Sequence, residues 1–161
     1  MSTQVNVAAV IIGVTTVILT GGIWLMTRNS GEVKGTTVGE VELVSRSGLH
    51  WHPKLEIYIK GEKVELEDGI GLGVVEKPMH THTEDYREGV VHMEFSGRVT
   101  AEQTRLGNFF DIWGKKFSSS QLFDRVNGDE GVVRMKVNGI ENTEYENYEM
   151  KDTDRIEIRF E

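Results

Sequence analysis

The chain has 161 residues, with 18 Lys and Arg against 26 Asp and Glu, a formal net charge of −8, five His and no Cys. That length suits one compact domain plus an appendage. The missing Cys excludes disulfides, thiolate zinc sites and thiol nucleophiles, and the acidic balance argues against nucleic acid as a partner, since phosphates need a clustered basic face.

Residues 1–4 form a short N-terminal tail. Residues 5–26 (VNVAAVIIGVTTVILTGGIWLM) carry no ionisable side chain. As a helix they extend roughly 33 Å at about 1.5 Å per residue, enough to cross a bilayer core. Trp24 suits an interfacial anchor, and Gly13, Gly21 and Gly22 are tolerated in membrane helices. The expectation is a single-pass transmembrane helix. A cleaved signal peptide fits less well, because no basic n-region precedes the run and the run exceeds a typical h-region. Arg28 and Lys34 on the C-terminal flank favour, by two charges, a cytoplasmic location for the C-terminal domain.

Every charged residue lies after position 27. Residues 27–47 read as a polar linker rich in Gly, Ser and Thr, with a short strand near Val41 to Val44. Residues 48–161 read as a β-rich soluble domain. Leu55, Ile57 and Ile59 alternate with polar residues, Lys60-Gly61-Glu62 turns the chain, and Val64 and Leu66 alternate again, which predicts a hairpin. His50 and His52 stand at the start of its first strand. A further strand spans 90–95.

At Leu106, Phe109, Phe110 and Trp113 the period changes to i, i+3, i+4, i+7, one stripe of a helix. Thr104 is the expected N-cap, with an earlier start at the Thr100 to Gln103 capping-box spacing as the alternative, and Gly114 sits at the C-terminal position. A polar loop comes next (SSSQLFDRVNGDEG). Val133, Met135 and Val137 then alternate ahead of Asn138-Gly139, a strong hairpin signal. Asp152 to Asp154 turns the chain into a last strand with Ile156, Ile158 and Phe160. The fold class is α+β: a small β-grasp-like domain in which one core helix crosses a mixed sheet.

All the histidines fall within one stretch: His50, His52, His80, His82 and His92. Two i, i+2 pairs on strands place each pair's rings on one face. His92 shares a face with Glu94. Imidazole suits Zn, Cu, Ni or Fe, so these six residues are the candidate metal ligands, with Glu94 as a ligand or an acceptor behind one. Met79 and Met93 offer thioethers that would favour Cu(I), although Met93 faces away from His92. Against this stand histidines that are merely exposed or that satisfy buried hydrogen bonds, and histidines that sense pH. No H-E-x-x-H, cupin H-x-H-x(3,4)-E, G-x-S-x-G or P-loop occurs. The glycines of GIGLG are a very weak nucleotide-loop signal.

The motifs His50-Trp51-His52-Pro53, His80-Thr81-His82, Gly89-Val90-Val91-His92-Met93-Glu94 and Leu106-Gly107-Asn108-Phe109-Phe110-Asp111-Ile112-Trp113-Gly114, with Val137-Asn138-Gly139 and the Asp152-Thr153-Asp154-Arg155-Ile156-Glu157-Ile158 end, make residues 48–161 resemble an uncharacterised family of membrane-anchored or secreted archaeal and bacterial proteins. The resemblance implies no activity. It implies a domain outside the cytoplasm, against the charge vote. Thr83 stands where the family's pattern has an acidic residue after HTH, which leaves Asp85 to take over as a partner behind the histidines, or leaves that partner lost.

The leading expectation is therefore a membrane-anchored domain that binds copper or zinc and handles or senses it at the membrane surface. The alternative is a β-grasp-like module for a protein partner, its histidines structural. A zinc-dependent enzyme is the third reading; no catalytic residue is singled out.

Overall fold

The computed structural model describes residues 42–161. In chain order the strands are β1 (Leu43–Ser45), β2 (Leu49–Trp51), β3 (Lys54–Ile59), β4 (Glu62–Val64), β5 (Met79–His80), β6 (His92–Phe95) and β7 (Val99–Thr100). The helix α1 (Leu106–Trp113) comes next, then β8 (Phe117–Ser118), β9 (Gln121–Leu122), β10 (Arg125–Val126), β11 (Val133–Val137), β12 (Ile140–Glu141) and β13 (Arg155–Phe160). The domain is thus β-rich with one α-helix. Among the described residues no helix is long and apolar enough to cross a membrane; the apolar run at 5–26 lies outside them, as do the tail and most of the linker.

The largest sheet has five strands in the order β12-β11-β13-β3-β4. Two of its inner strands, β3 and β13, run parallel, with Ile57 beside Ile158. The remaining pairs are antiparallel. Each hairpin closes through two residues with positive φ: Lys60 at 54° and Gly61 at 85°, Asn138 at 53° and Gly139 at 82°. That backbone matches the right-handed strand twist, which is why Asn-Gly and Lys-Gly serve here.

Alternation decides which face is buried. Val133, Met135 and Val137 of β11, Ile156, Ile158 and Phe160 of β13, and Leu55 and Ile57 of β3 all enter one core. Leu106, Phe109 and Phe110 of α1 join the same core. Phe110 stacks on Phe117 at 4.5 Å between ring centroids.

The helix begins later than its sequence suggests. The Thr100 N–H donates to Gln103 Oε1 (2.9 Å), and this box caps a 3-10 turn at Ala101–Thr104 rather than α1. Thr104 is not the N-cap of α1, because its hydroxyl donates back to the Ala101 carbonyl (2.8 Å). Arg105 is extended, and α1 starts after it. Gly114, at φ 72°, ends the helix as expected, its N–H directed to the carbonyls of Phe110 and Asp111. The segment read as a polar loop also holds structure: β8, β9 and β10 form a three-stranded meander there.

The turn ahead of β13 is built around buried Asp154. Its carboxylate accepts from Tyr148 Oη (2.7 Å), the Lys151 backbone N–H (2.8 Å) and Asn138 Nδ2 (3.0 Å). The Asp154 carbonyl accepts from the Lys54 N–H (2.7 Å), tying the turn to β3. Burial, reinforced by the hydrogen bond to Asp154, raises the Tyr148 phenol above its ordinary pKa. The proton is then held more tightly folded than unfolded, so this contribution to stability is complete below about pH 10 and is lost as the pH rises further. Thermal unfolding of Tyr148→Phe is expected to depend less on pH above about 10 than that of the wild type. Parallel alkaline slopes for the two proteins would contradict this.

Candidate metal centre

Three short antiparallel strands in the order β2-β6-β5 carry His50, His92 and His80. Across the ladder His50 faces Glu94 and His80 faces His92, while Trp51 and Met79 both pair with Met93. Strand alternation then sorts the side chains. His50, Glu94, His92 and His80 belong to one face, and Met79 and Met93 to the other. Both methionines are buried in the core, 1% and 0% exposed. Neither supplies a thioether to the histidine face, so the Cu(I)-favouring donor considered from the sequence drops out.

His52 and His82 each lie just beyond the end of an outer strand of this sheet. Sequence alternation places His50 and His52 at the start of the strand that continues through Ile59. The structure ends that strand at Trp51: His52 and Pro53, which has no N–H, lie between β2 and β3, and β3 belongs to the large sheet. His52 is braced instead from a distance: its backbone N–H donates to Asp152 Oδ1 (2.9 Å). Thr81, between His80 and His82, turns inward. It is fully buried, its hydroxyl donates to the Glu67 carbonyl (2.8 Å), and it accepts from the Ile70 N–H (3.0 Å). The His-Thr-His motif thus anchors itself by its middle residue. Gly71, at φ 74°, lies so close behind that a Cβ there would strike the Met79 carbonyl and approach His80 Cβ. The glycines of GIGLG therefore let a loop close on β5, and no helix succeeds them.

The five imidazoles form one contiguous run. Ring centroids lie 4.7 Å apart for His50 and His52, 4.8 Å for His52 and His92, 4.4 Å for His92 and His82, and 4.8 Å for His82 and His80. Their donor atoms, with Glu94, fall into two sets: His50, His52 and His92, and His80, His82 and Glu94. Within each set the atoms lie within 4.8 Å of one another. His80 is completely buried, whereas His50 is 63% exposed, so the cluster runs from the interior to the surface.

Hydrogen bonds prepare specific ring nitrogens. His80 Nδ1 is 3.0 Å from the Lys77 carbonyl, which only accepts, so Nδ1 carries the proton. In the neutral ring Nε2 is then the acceptor, and it lies 3.1 Å from His82 Nε2, which donates to it. His92 Nε2 donates to Asp85, at 3.0 and 3.2 Å to the two oxygens, leaving Nδ1 with the lone pair. A carbonyl or carboxylate behind an imidazole is the usual way a ligating histidine is oriented and made more basic. Asp85 thus stands behind His92, whereas the Thr83 hydroxyl turns away and donates to the Asp68 carboxylate (3.0 Å). His50 Nε2 is 3.1 Å from Glu94 Oε1. Ligands 2.0–2.1 Å from a tetrahedral ion stand about 3.3 Å apart, close to these separations. Glu76, four residues before His80, also approaches, its Oε1 3.7 Å from His80 Nε2. No sequence signal pointed to Glu76, because it sits in an irregular loop whose path no local pattern determines.

Burial holds the His92 imidazole below its ordinary pKa; Asp85 opposes the shift, and His82 and His52 reinforce it. Neutral imidazole is the form that binds metal. A cleft of about 610 Å³ lined by Val64, Glu67, Trp113, Lys115 and Phe123, among others, shares no residue with the histidine cluster. Comparison of the chain with protein-family models, with curated proteins and with solved structures gave no match.

Proposed function

We propose that this protein binds zinc or copper through His50, His52, His80, His82, His92 and Glu94, and handles or senses that metal at a membrane surface. The observation that carries the reading is the unbroken contact of five imidazoles drawn from three separate segments of chain. Imidazoles gathered without a metal gain little from one another, and protonating one disfavours protonating the next. The fixed tautomers of His80 and His92 are a further support, since each leaves the second ring nitrogen unprotonated and able to act as a ligand. An imidazole-rich, oxygen-poor donor set suits Zn²⁺ or Cu²⁺ and suits Ca²⁺ or Mg²⁺ poorly.

The uncharged run at 5–26 supports a single-pass anchor. The motif resemblance supports placing the domain outside the cytoplasm. The strand order β4-β3-β13-β11-β12, with β3 and β13 parallel and one helix between the hairpins, supports a β-grasp arrangement.

Elemental analysis of the purified full-length protein and of a His80→Ala/His82→Ala variant tests the reading. The wild type is expected to retain zinc or copper and the variant to retain less. Equal content in the two proteins would contradict it and favour the interaction module with structural histidines.

A further inference from the structure

We propose that the histidine cluster is a two-ion centre in which the carboxylate of Glu94 bridges an inner and an outer divalent cation. This rests on the metal-binding reading above and deepens it. The donor atoms divide into two sets of three. The inner set contains fully buried His80 and half-buried His82; the outer set contains exposed His50 and His52.

Glu94 belongs to the inner set by distance, yet its Oε1 lies 3.1 Å from Nε2 of His50, an outer ligand. Its place explains this. It lies on the central strand β6, directly across from His50, with β5 on the other side. A carboxylate has two oxygens, and each can serve a different cation. The sets also adjoin: His82 of the inner set and His92 of the outer set have ring centroids 4.4 Å apart. Cations in two-metal centres stand about 3.5–4 Å from each other, a separation that adjoining sets accommodate.

Ligand number points the same way. A tetrahedral ion uses four donors. Five imidazoles and a carboxylate exceed that, whereas two ions distribute them well. The outer ion takes His50, His52, His92 and one oxygen of Glu94. The inner ion takes His80, His82 and the other oxygen, with Glu76 within reach as a fourth donor. Both sets are nitrogen-rich, so both cations belong to the Zn²⁺ or Cu²⁺ class.

Titration of the full-length, metal-stripped protein with Zn²⁺, counted by elemental analysis, reads the stoichiometry. Two ions per chain are expected. His50→Ala/His52→Ala alters only exposed side chains, so it is expected to keep the wild-type melting temperature in the apo form and to bind one ion. Glu94→Gln is expected to weaken the second ion at least about tenfold through loss of the anionic bridge. In the Cu²⁺-loaded wild type, paramagnetic resonance is expected to show a coupled pair. One Zn²⁺ per wild-type chain would overturn the two-ion centre while leaving the metal-binding reading in place. No bound Zn²⁺ or Cu²⁺ would overturn both. A His50→Ala/His52→Ala protein that folds but binds nothing, or a Glu94→Gln protein that binds two ions as tightly as the wild type, would also overturn the bridged pair.

Discussion

His80→Ala is expected to lower affinity for the ion held by His80 and His82 by more than about a hundredfold, since losing even a partner behind a ligand costs about 10–100-fold. Three features concentrate the effect on His80. The residue is completely buried, so its ring is held among packed neighbours, and of the solvent-side groups the Glu76 carboxylate comes to 3.7 Å from its Nε2. Its Nδ1 is committed to the Lys77 carbonyl, which fixes the ring and presents Nε2. Thr81 and Gly71 hold the backbone beneath it. The same burial means that the variant also leaves a cavity and a carbonyl without its donor, so some stability is lost in the apo protein. His50→Ala separates the two effects. His50 is exposed, so its removal is expected to weaken metal binding without lowering the apo melting temperature. Calorimetric titration of both variants with Zn²⁺, beside their apo melting curves, checks this. Wild-type affinity in His80→Ala would contradict it.

The second large effect is on folding. Asp154→Ala is expected to destabilise the domain by about 2–4 kcal/mol, because three donors converge on one buried carboxylate, a hydrogen bond to a charged group contributes about 1.5–3 kcal/mol, and the exposed or half-buried donors recover part of that from water. Asn138 closes the β11–β12 hairpin, Tyr148 precedes the last turn, and Lys151 begins it, so the loss reaches three parts of the chain. It also reaches the histidines. Asp152 in the same turn accepts the His52 N–H, and the Asp154 carbonyl accepts the Lys54 N–H just beyond Pro53. Loosening the turn is therefore expected to weaken metal binding as well as stability. Urea denaturation of the apo protein gives the first quantity; a loss below about 1 kcal/mol would mean that the donors find other partners or water.

Local pattern carried much of the fold. Alternation in β3, β11 and β13 marked both strands and buried faces, and Lys60-Gly61 and Asn138-Gly139 marked the hairpins. The stripe of Leu106, Phe109 and Phe110 marked the helix. Its start was misplaced because Thr104 turns its hydroxyl backward onto Ala101 instead of forward into α1. Strands of two residues, such as β5, β8, β9 and β10, are too short to show a period, and the polar segment before β11 therefore hid a meander. The pairs His50/His52 and His80/His82 were legible by their i, i+2 spacing, although only His50 and His80 stand in strands, and the inward turn of Met93 was legible by its position next to His92. Which partners would stand behind them depended on contacts set by the folded chain: Lys77 at His80, Asp152 at His52, and Glu76 beside the ring of His80. The division of the donors into two sets likewise comes from the pairing of β2 and β5 on opposite sides of β6, which no single segment encodes.

The most direct measurement is anomalous diffraction at the zinc edge from crystals of the zinc-loaded protein. Anomalous density is expected within bonding distance, about 2.0–2.1 Å, of imidazole nitrogens in the cluster of His50, His52, His80, His82 and His92. Zinc bound only elsewhere on the chain, or no zinc at all with the five rings bonded solely to protein and water, would contradict a histidine metal centre.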